Sequence, residues 1–290
     1  IGDSALLANT TGTQNIAIGT QSLYSAVTAS GNLAIGYSAL FANTTGQSNI
    51  AIGNSALTAN TGGQQNLAIG LGALQNNTTA DGNTAIGYVA LSANTTGYQN
   101  TAIGSGAGLA ITTGSDNTAV GSSAGGAITT GSQNTMLGLN AGSALTTGSN
   151  NTIIGASAAA STVSVSNEIT LGNSGIATIR AQVTSITALS DARDKKNIEP
   201  LPYGLALVNS LNPVKFDWDM RDGGKVDIPD MGFIAQDFVE IEDILNAHET
   251  LQLTYRSNPD KLEATYGRLV PILVNAIKEL SARVAELEEQ

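Results

Sequence analysis

Ser190 and Lys195 stand five residues apart in Ser190-Asp191-Ala192-Arg193-Asp194-Lys195, and their types supply a nucleophile and a base. A serine hydroxyl attacks poorly until its proton is taken, and a lysine in its amine form can take it. Burial and the neighbouring cations Arg193 and Lys196 would both disfavour the charged form of Lys195, whereas a carboxylate at Asp194 would favour it. Within one chain Ser190 reaches the carbonyl of Leu189 through a five-membered ring. A serine from a neighbouring chain would instead cut at Ser190-Asp191, and both sides stay open. By spacing alone the plainer role is structural: Ser190-Asp191 caps a turn before residues 193 to 198, with Lys195 in solvent.

Other candidate groups are thinner. His248 is the sole histidine and there is no cysteine, so a surface or packing role is expected for it and no thiolate metal site or disulfide exists. Asp217, Asp219, Asp222 and Asp227 lack the loop spacing of a calcium site and fit a solvated hairpin around Gly223-Gly224. No cofactor and no metal are expected. Tyr24, Tyr37, Tyr88, Tyr98 and Phe41 are the aromatic candidates for glycan contact in the first part of the chain, and they look scattered.

Charge divides the chain. Residues 1 to 189 carry only Asp3, Asp81, Asp116, Glu168 and Arg180, and most of the net charge of -11 falls in the last hundred residues. An acidic balance with no basic patch argues against nucleic acid. No run approaches the roughly 18 to 20 apolar residues that would span a bilayer. The chain opens inside a repeat, so further sequence is expected to precede it.

That repeat is strict. An apolar-Gly pair recurs every 17 residues from Ile1 through Ile18, Ile35 and Ile52 to Leu171, with an asparagine three residues before each pair from Asn15 to Asn151; Glu168 ends the series. Thr-Thr-Gly turns separate the pairs, at Gly12, Gly46, Gly97, Gly114, Gly131 and Gly148, with Gly31 and Gly82 displaced. A second apolar anchor falls at Leu6, Leu23, Leu40, Leu57, Leu74 and Leu91, then three residues later at Ile111, Ile128 and Leu145. Glycines and Thr-Thr-Gly breaks exclude long helices. About two strands and two corners per repeat predict one coil of a parallel β-roll. Coils about 4.8 Å apart place each Asn on the next Asn, where the amides satisfy one another. The same register explains the missing charge, because a repeated Lys or Glu would face its own copy.

The Asn-x-x-Ala-Ile-Gly motif, as in Asn15-Ile16-Ala17-Ile18-Gly19 and Asn49-Ile50-Ala51-Ile52-Gly53, resembles the β-roll head of trimeric autotransporter adhesins and the shafts of phage fibres. After Gly172, Ile176, Ile179, Val183, Ile186 and Leu189 mix steps of three and four, which suits a narrow trimeric β neck. Tyr266, Val270, Leu273, Ile277, Leu280, Val284 and Leu287 then alternate steps of four and three, a heptad seam that predicts a parallel coiled-coil helix.

Ser190-Asp191-Ala192-Arg193-Asp194-Lys195-Lys196-Asn197-Ile198 is similar to the opening of the self-cleaving intramolecular chaperones of phage tail fibres and tailspikes, peptidase family S74. The likeness continues through Leu211-Asn212-Pro213-Val214-Lys215-Phe216-Asp217-Trp218, Met231-Gly232-Phe233-Ile234-Ala235-Gln236-Asp237 and Tyr266-Gly267-Arg268-Leu269-Val270-Pro271. It implies that three copies meet, that the domain folds the upstream β-structure, and that a Ser190-Lys195 dyad then releases it.

The expected fold is mainly β: a homotrimeric parallel β-solenoid of 17-residue coils (1–172), a trimeric β neck (173–189), an α+β chaperone domain (190–265) and a coiled-coil helix (266–290). The expected role is a virion tail fibre or bacterial-surface adhesive fibre that engages a cell-surface receptor or glycan and spans no membrane. The alternatives are a glycan-depolymerising tailspike whose catalytic part lies outside this sequence, and a fibre whose uncleaved C-terminal domain is the binding tip.

Overall fold

The computed structural model describes residues 1–176, 178–180, 190–221, 223 and 225–289, in two compact units, Ile1–Ser174 and Gly175–Gln290. Val183, Ile186 and Leu189 of the expected neck, and Asp222 and Gly224 of the expected hairpin, lie outside the described residues.

The first unit is a parallel β-solenoid of about nine turns. Its ten strands run from β1 (Ile16–Ile18) to β10 (Ile169–Leu171) and pair in sequence order, each residue with the one 17 further on, such as Ile18 with Ile35 and Ala17 with Ala34. Each coil holds one three-residue strand, not the two expected. The second anchor prevents another, because Leu23, Leu40, Leu57, Leu74 and Leu91 sit at φ of +49° to +53° in the left-handed region. That conformation costs a non-glycine residue roughly 1–2 kcal/mol. Burying a leucine fully contributes about 1.5–3 kcal/mol, so burial carries the strain.

The middle residue of the first nine strands, alanine from Ala17 to Ala119 and then Met136 and Ile153, turns into the coil and is buried, while the residues on either side point outward. Asparagines line the interior beside them. Asn66 Nδ2 donates to Asn49 Oδ1 at 3.1 Å and to Ala80 O at 2.9 Å, its backbone N–H donates to Asn49 Oδ1 at 3.0 Å, and its Oδ1 accepts from Asn83 N at 2.9 Å. Among the described residues no buried amide of this row goes unpaired, as burial requires. Glu168 closes the series by turning its Oε1 back to Ser161 N (2.9 Å) and Thr170 Oγ1 (3.0 Å).

The Thr-Thr-Gly glycines are not at positive φ. The left-handed corner belongs to the residue two positions on, for example Gln14, Gly31, Ser48, Gln65 and Gly82. Gly12 and Gly46 are small because the next coil passes there: a Cβ on Gly12 would overlap the Ala29 carbonyl oxygen. Gly31 and Gly82 are therefore glycines moved into the corner itself.

A second internal ladder runs through Asn43, Asn60, Asn77 and Asn94, the Nδ2 of each of the last three donating to the preceding Oδ1 at 2.9 Å. It explains the displaced anchor. From one coil to the next Leu91 and Asn94 give way to Gly108 and Ile111, so an apolar side chain leaves one place and enters the other. Gly108, Gly125 and Gly142 keep the left-handed φ of +57° to +60° without strain. Met136 and Ile153, standing where earlier coils have alanine, press against Gly125 and Gly142 and fill the vacated volume.

In the second unit, α1 (Leu205–Ser210), α2 (Ala235–Ile244), α3 (His248–Leu251) and α4 (Leu269–Glu288) surround a core of Leu207, Phe238, Leu251, Leu253, Leu269 and Ile272. Two antiparallel ribbons accompany them, β11 (Val214–Asp219) with β12 (Val226–Gly232), and β13 (Thr254–Tyr255) with β14 (Glu263–Ala264). Helix α4 is apolar on two sides. Leu269, Ile272 and Ala276 pack inward, whereas the heptad residues Val270, Leu273, Ile277, Leu280, Val284 and Leu287 are exposed by 41–69%.

Candidate functional site

Asp191 starts the turn that brings the candidate pair together. Its Oδ1 accepts the Arg193 N–H at 2.9 Å, capping a single 3-10 turn at Ala192–Asp194. The Arg193 guanidinium folds back on the same carboxylate, with Nε at 3.0 and 3.1 Å from its two oxygens and Nη2 at 2.5 Å. Arg193 thereby holds Asp191 below the usual carboxylate range, and Asp191 raises Arg193. Asp194 N donates to Asp191 O and Lys195 N to Ala192 O, both at 3.2 Å, which reverses the chain.

Lys195 Nζ then lies 2.6 Å from Ser190 Oγ and 3.4 Å from Ser190 O. That is within reach for proton transfer between base and nucleophile. The cap belongs to Asp191 and not to Ser190, so the capped turn and the Ser190-Lys195 contact coexist. Two electrostatic expectations change. The Arg193 charge beside Lys195 is matched by Asp191, and no hydrogen bond or ion pair joins Asp194 to Lys195 among the described residues. Both Ser190 and Lys195 are exposed in the single chain. Leu189, on whose carbonyl the expected attack within one chain would fall, lies outside the described residues.

A second polar centre escaped the sequence reading. Glu242 on α2 is fully buried; its Oε2 takes bonds from Thr254 Oγ1 (2.6 Å), Arg256 Nη2 (2.7 Å) and His248 Nδ1 (2.8 Å), and its Oε1 from Leu253 N (2.5 Å) and Thr254 N (3.3 Å). Burial alone would push the carboxyl up. Bonds from Thr254, His248, Arg256 and Leu253 outweigh it and leave Glu242 below its ordinary value. His248 is thus a structural partner of a buried carboxylate. The available signal was a glutamate four residues after Phe238, inside the apolar stripe of a short helix.

The shaft aromatics are less scattered than they look. Tyr24 and Phe41 occupy one slot in adjacent coils with rings stacked 5.1 Å apart, and Tyr37 and Tyr88 share another slot three coils apart. Among the described residues no three His, Cys, Asp or Glu side chains converge on a possible metal position, and no helix is long and apolar enough to cross a membrane.

Residues 190–250 match the family described as chaperone of endosialidase, Peptidase_S74. Over 102 residues, 35% of this chain, the sequence is 34% identical to the long tail fiber protein Gp37 of Enterobacteria phage K3, of which it spans 8%. It is equally similar over the same extent to Gp37 of Enterobacteria phage T2, of which it spans 7%. The chain therefore spans less than a tenth of these curated relatives. No solved structure matches it, and the likeness of the repeats to adhesin heads rests on their motif.

Proposed function

We propose that this chain is part of a homotrimeric virion tail fibre, with a solenoid shaft and a C-terminal chaperone that gathers three copies, assists shaft folding and then cuts itself free. The observation that carries this is the exposed heptad row of α4 from Val270 to Leu287, on a helix whose other side is already packed in its first half by Leu269, Ile272 and Ala276. An apolar stripe of that regularity is stable in water only against further helices, and identical copies supply them. Clamping copies together raises their effective concentration to roughly the millimolar range and shortens a slow interchain search.

In the release step the amine form of Lys195 takes the proton of Ser190 Oγ, which attacks the Leu189 carbonyl carbon. The Leu189-Ser190 C–N bond breaks, Lys195 returns the proton to the Ser190 nitrogen, and an ester joins Leu189 to Oγ. Water then hydrolyses the ester, leaving a Leu189 carboxylate and a new amino terminus at Ser190. Attack by another copy would place the cut at Ser190-Asp191. Once the chaperone has left, the durability of the shaft becomes a matter of its unfolding rate.

The relatives' identity as long tail fibre proteins supports a virion location and a role in engaging a host-surface receptor or glycan. Mass spectrometry of the purified chain tests the release step. Wild type is expected as two fragments, with Ser190→Ala and Lys195→Ala intact; an intact wild type after folding refutes cleavage. Sedimentation of the Ser190→Ala chain tests assembly: three copies are expected, and a single copy at micromolar concentration refutes the fibre.

A further inference from the structure

Within the first unit, the outer face of the ten-stranded sheet is a long apolar surface that no described residue of that unit covers. Its main row runs from Ile18 to Leu171 in steps of 17, and Ile18, Ile103, Leu137 and Leu171 are 40%, 38%, 47% and 54% exposed. A second row, two residues earlier in each strand, is Ile or Leu from Ile16 to Leu67 and threonine from Thr84 to Thr152. Parallel sheets occur with both faces covered, and here the alanines cover only the inner one.

We infer that this face is the contact between copies along the shaft, each copy laying its isoleucine row in register against those of the others. The inference rests on the multi-copy reading above and names the surface that serves it.

Charge selects a second copy over another partner. Aligned identical chains set each residue near its own counterpart, so a charged side chain would meet itself. Neither row contains a charged residue in any of the ten strands. Tyr37 and Leu71, both more than half exposed two residues beyond the strand, extend the apolar strip at its edge.

Size sets the division of labour. Three residues across and ten strands long make a strip of roughly 10 by 43 Å, or about 430 Å² in plan. A standard interface takes about 800 Å² per partner, so the shaft face by itself is a modest contact. It needs copies already held together, which the α4 seam provides. The contact is broad over the first four strands and narrows where the second row becomes threonine.

The chain has no cysteine, so a single introduced thiol reports on one position. In the Ser190→Ala background, Ile69→Cys treated with a short bis-maleimide is expected to give mostly species of two linked chains on a denaturing gel. Thr79→Cys, on an exposed corner, is expected to stay as single chains; Ile86→Cys repeats the measurement if Ile69→Cys does not fold. Unlinked chains for both isoleucine positions in a sample that sediments as an oligomer overturn this surface and leave the fibre reading standing. A sample that sediments as a single chain overturns both.

Discussion

Asn94 and Ile111 occupy the same place in consecutive coils, and their meeting leaves Asn94 Oδ1 the one buried side-chain polar atom without a hydrogen-bond partner among the described residues. Below it the oxygens of Asn43, Asn60 and Asn77 are each taken by the next asparagine. The amide ladder stops where isoleucine begins, and the chain accepts an unsatisfied oxygen there.

Ile111→Asn should therefore fail to restore order alone, because it removes the coil's apolar anchor while Gly108 stays empty. The expected loss is about 2–5 kcal/mol, as for other emptied core sites. Gly108→Leu alone should also destabilise, since its Cβ would crowd Leu91 and Ile111. The double variant rebuilds the Leu-Asn pattern of the preceding coil and should recover much of the loss. Thermal unfolding of the four proteins measures this coupling; simple additivity would contradict the compensation.

Gly53→Ala should be among the most damaging small changes in the shaft. Gly53 has φ +139°, and an added Cβ would overlap the Gly70 carbonyl. A cost of roughly 1–3 kcal/mol for the strained backbone is expected before the clash is counted. Gly62→Ala meets only Thr45 Oγ1 at 3.4 Å, with an ordinary φ, and should be neutral or slightly stabilising. Comparing melting temperatures of the two variants checks this.

Acid should loosen the chaperone unit through Glu242. Its folded value lies below its unfolded one, so the charged form is favoured by folding. That contribution is complete above the ordinary glutamate range and is lost as pH falls through the lowered folded value. Glu242→Gln should abolish this acid-side dependence and cost about 3 kcal/mol at neutral pH, by stripping a buried ion pair from Arg256. Trp218, the sole tryptophan, lies in β11, so urea unfolding followed by its fluorescence reads this unit without the shaft.

Asp191→Ala should slow self-cleavage at least tenfold while the fibre still assembles, because it removes both the cap and the Arg193 clamp that turn Lys195 onto Ser190. Asp191→Asn retains a cap acceptor for Arg193 N–H and should recover part of the rate. A time course of fragment appearance by mass spectrometry distinguishes the two; equal rates for wild type and Asp191→Ala would remove the turn from the mechanism.

Much of the molecule was legible in one dimension. A 17-residue period, an asparagine three places before each apolar-Gly pair and the near-absence of charge imply stacked coils, because in-register stacking repeats every local feature and tolerates no like-charge ladder. The Ser190-to-Ile198 motif likewise marked a chaperone segment, since its spacing is local. What the sequence left open depends on how a coil closes. Isoleucine and leucine are alike in hydropathy, and only the folded backbone turns the anchors Leu23 to Leu91 inward at left-handed φ and the strand-end row from Ile18 to Leu171 outward. The same closure makes one strand per coil, exchanges Leu91-Asn94 for Gly108-Ile111 and stacks Tyr24 on Phe41. Glu242 and its partners Thr254 and Arg256 lie 12 and 14 residues apart. No local pattern announces such a pairing, because its stabilisation exists only once the core has excluded water.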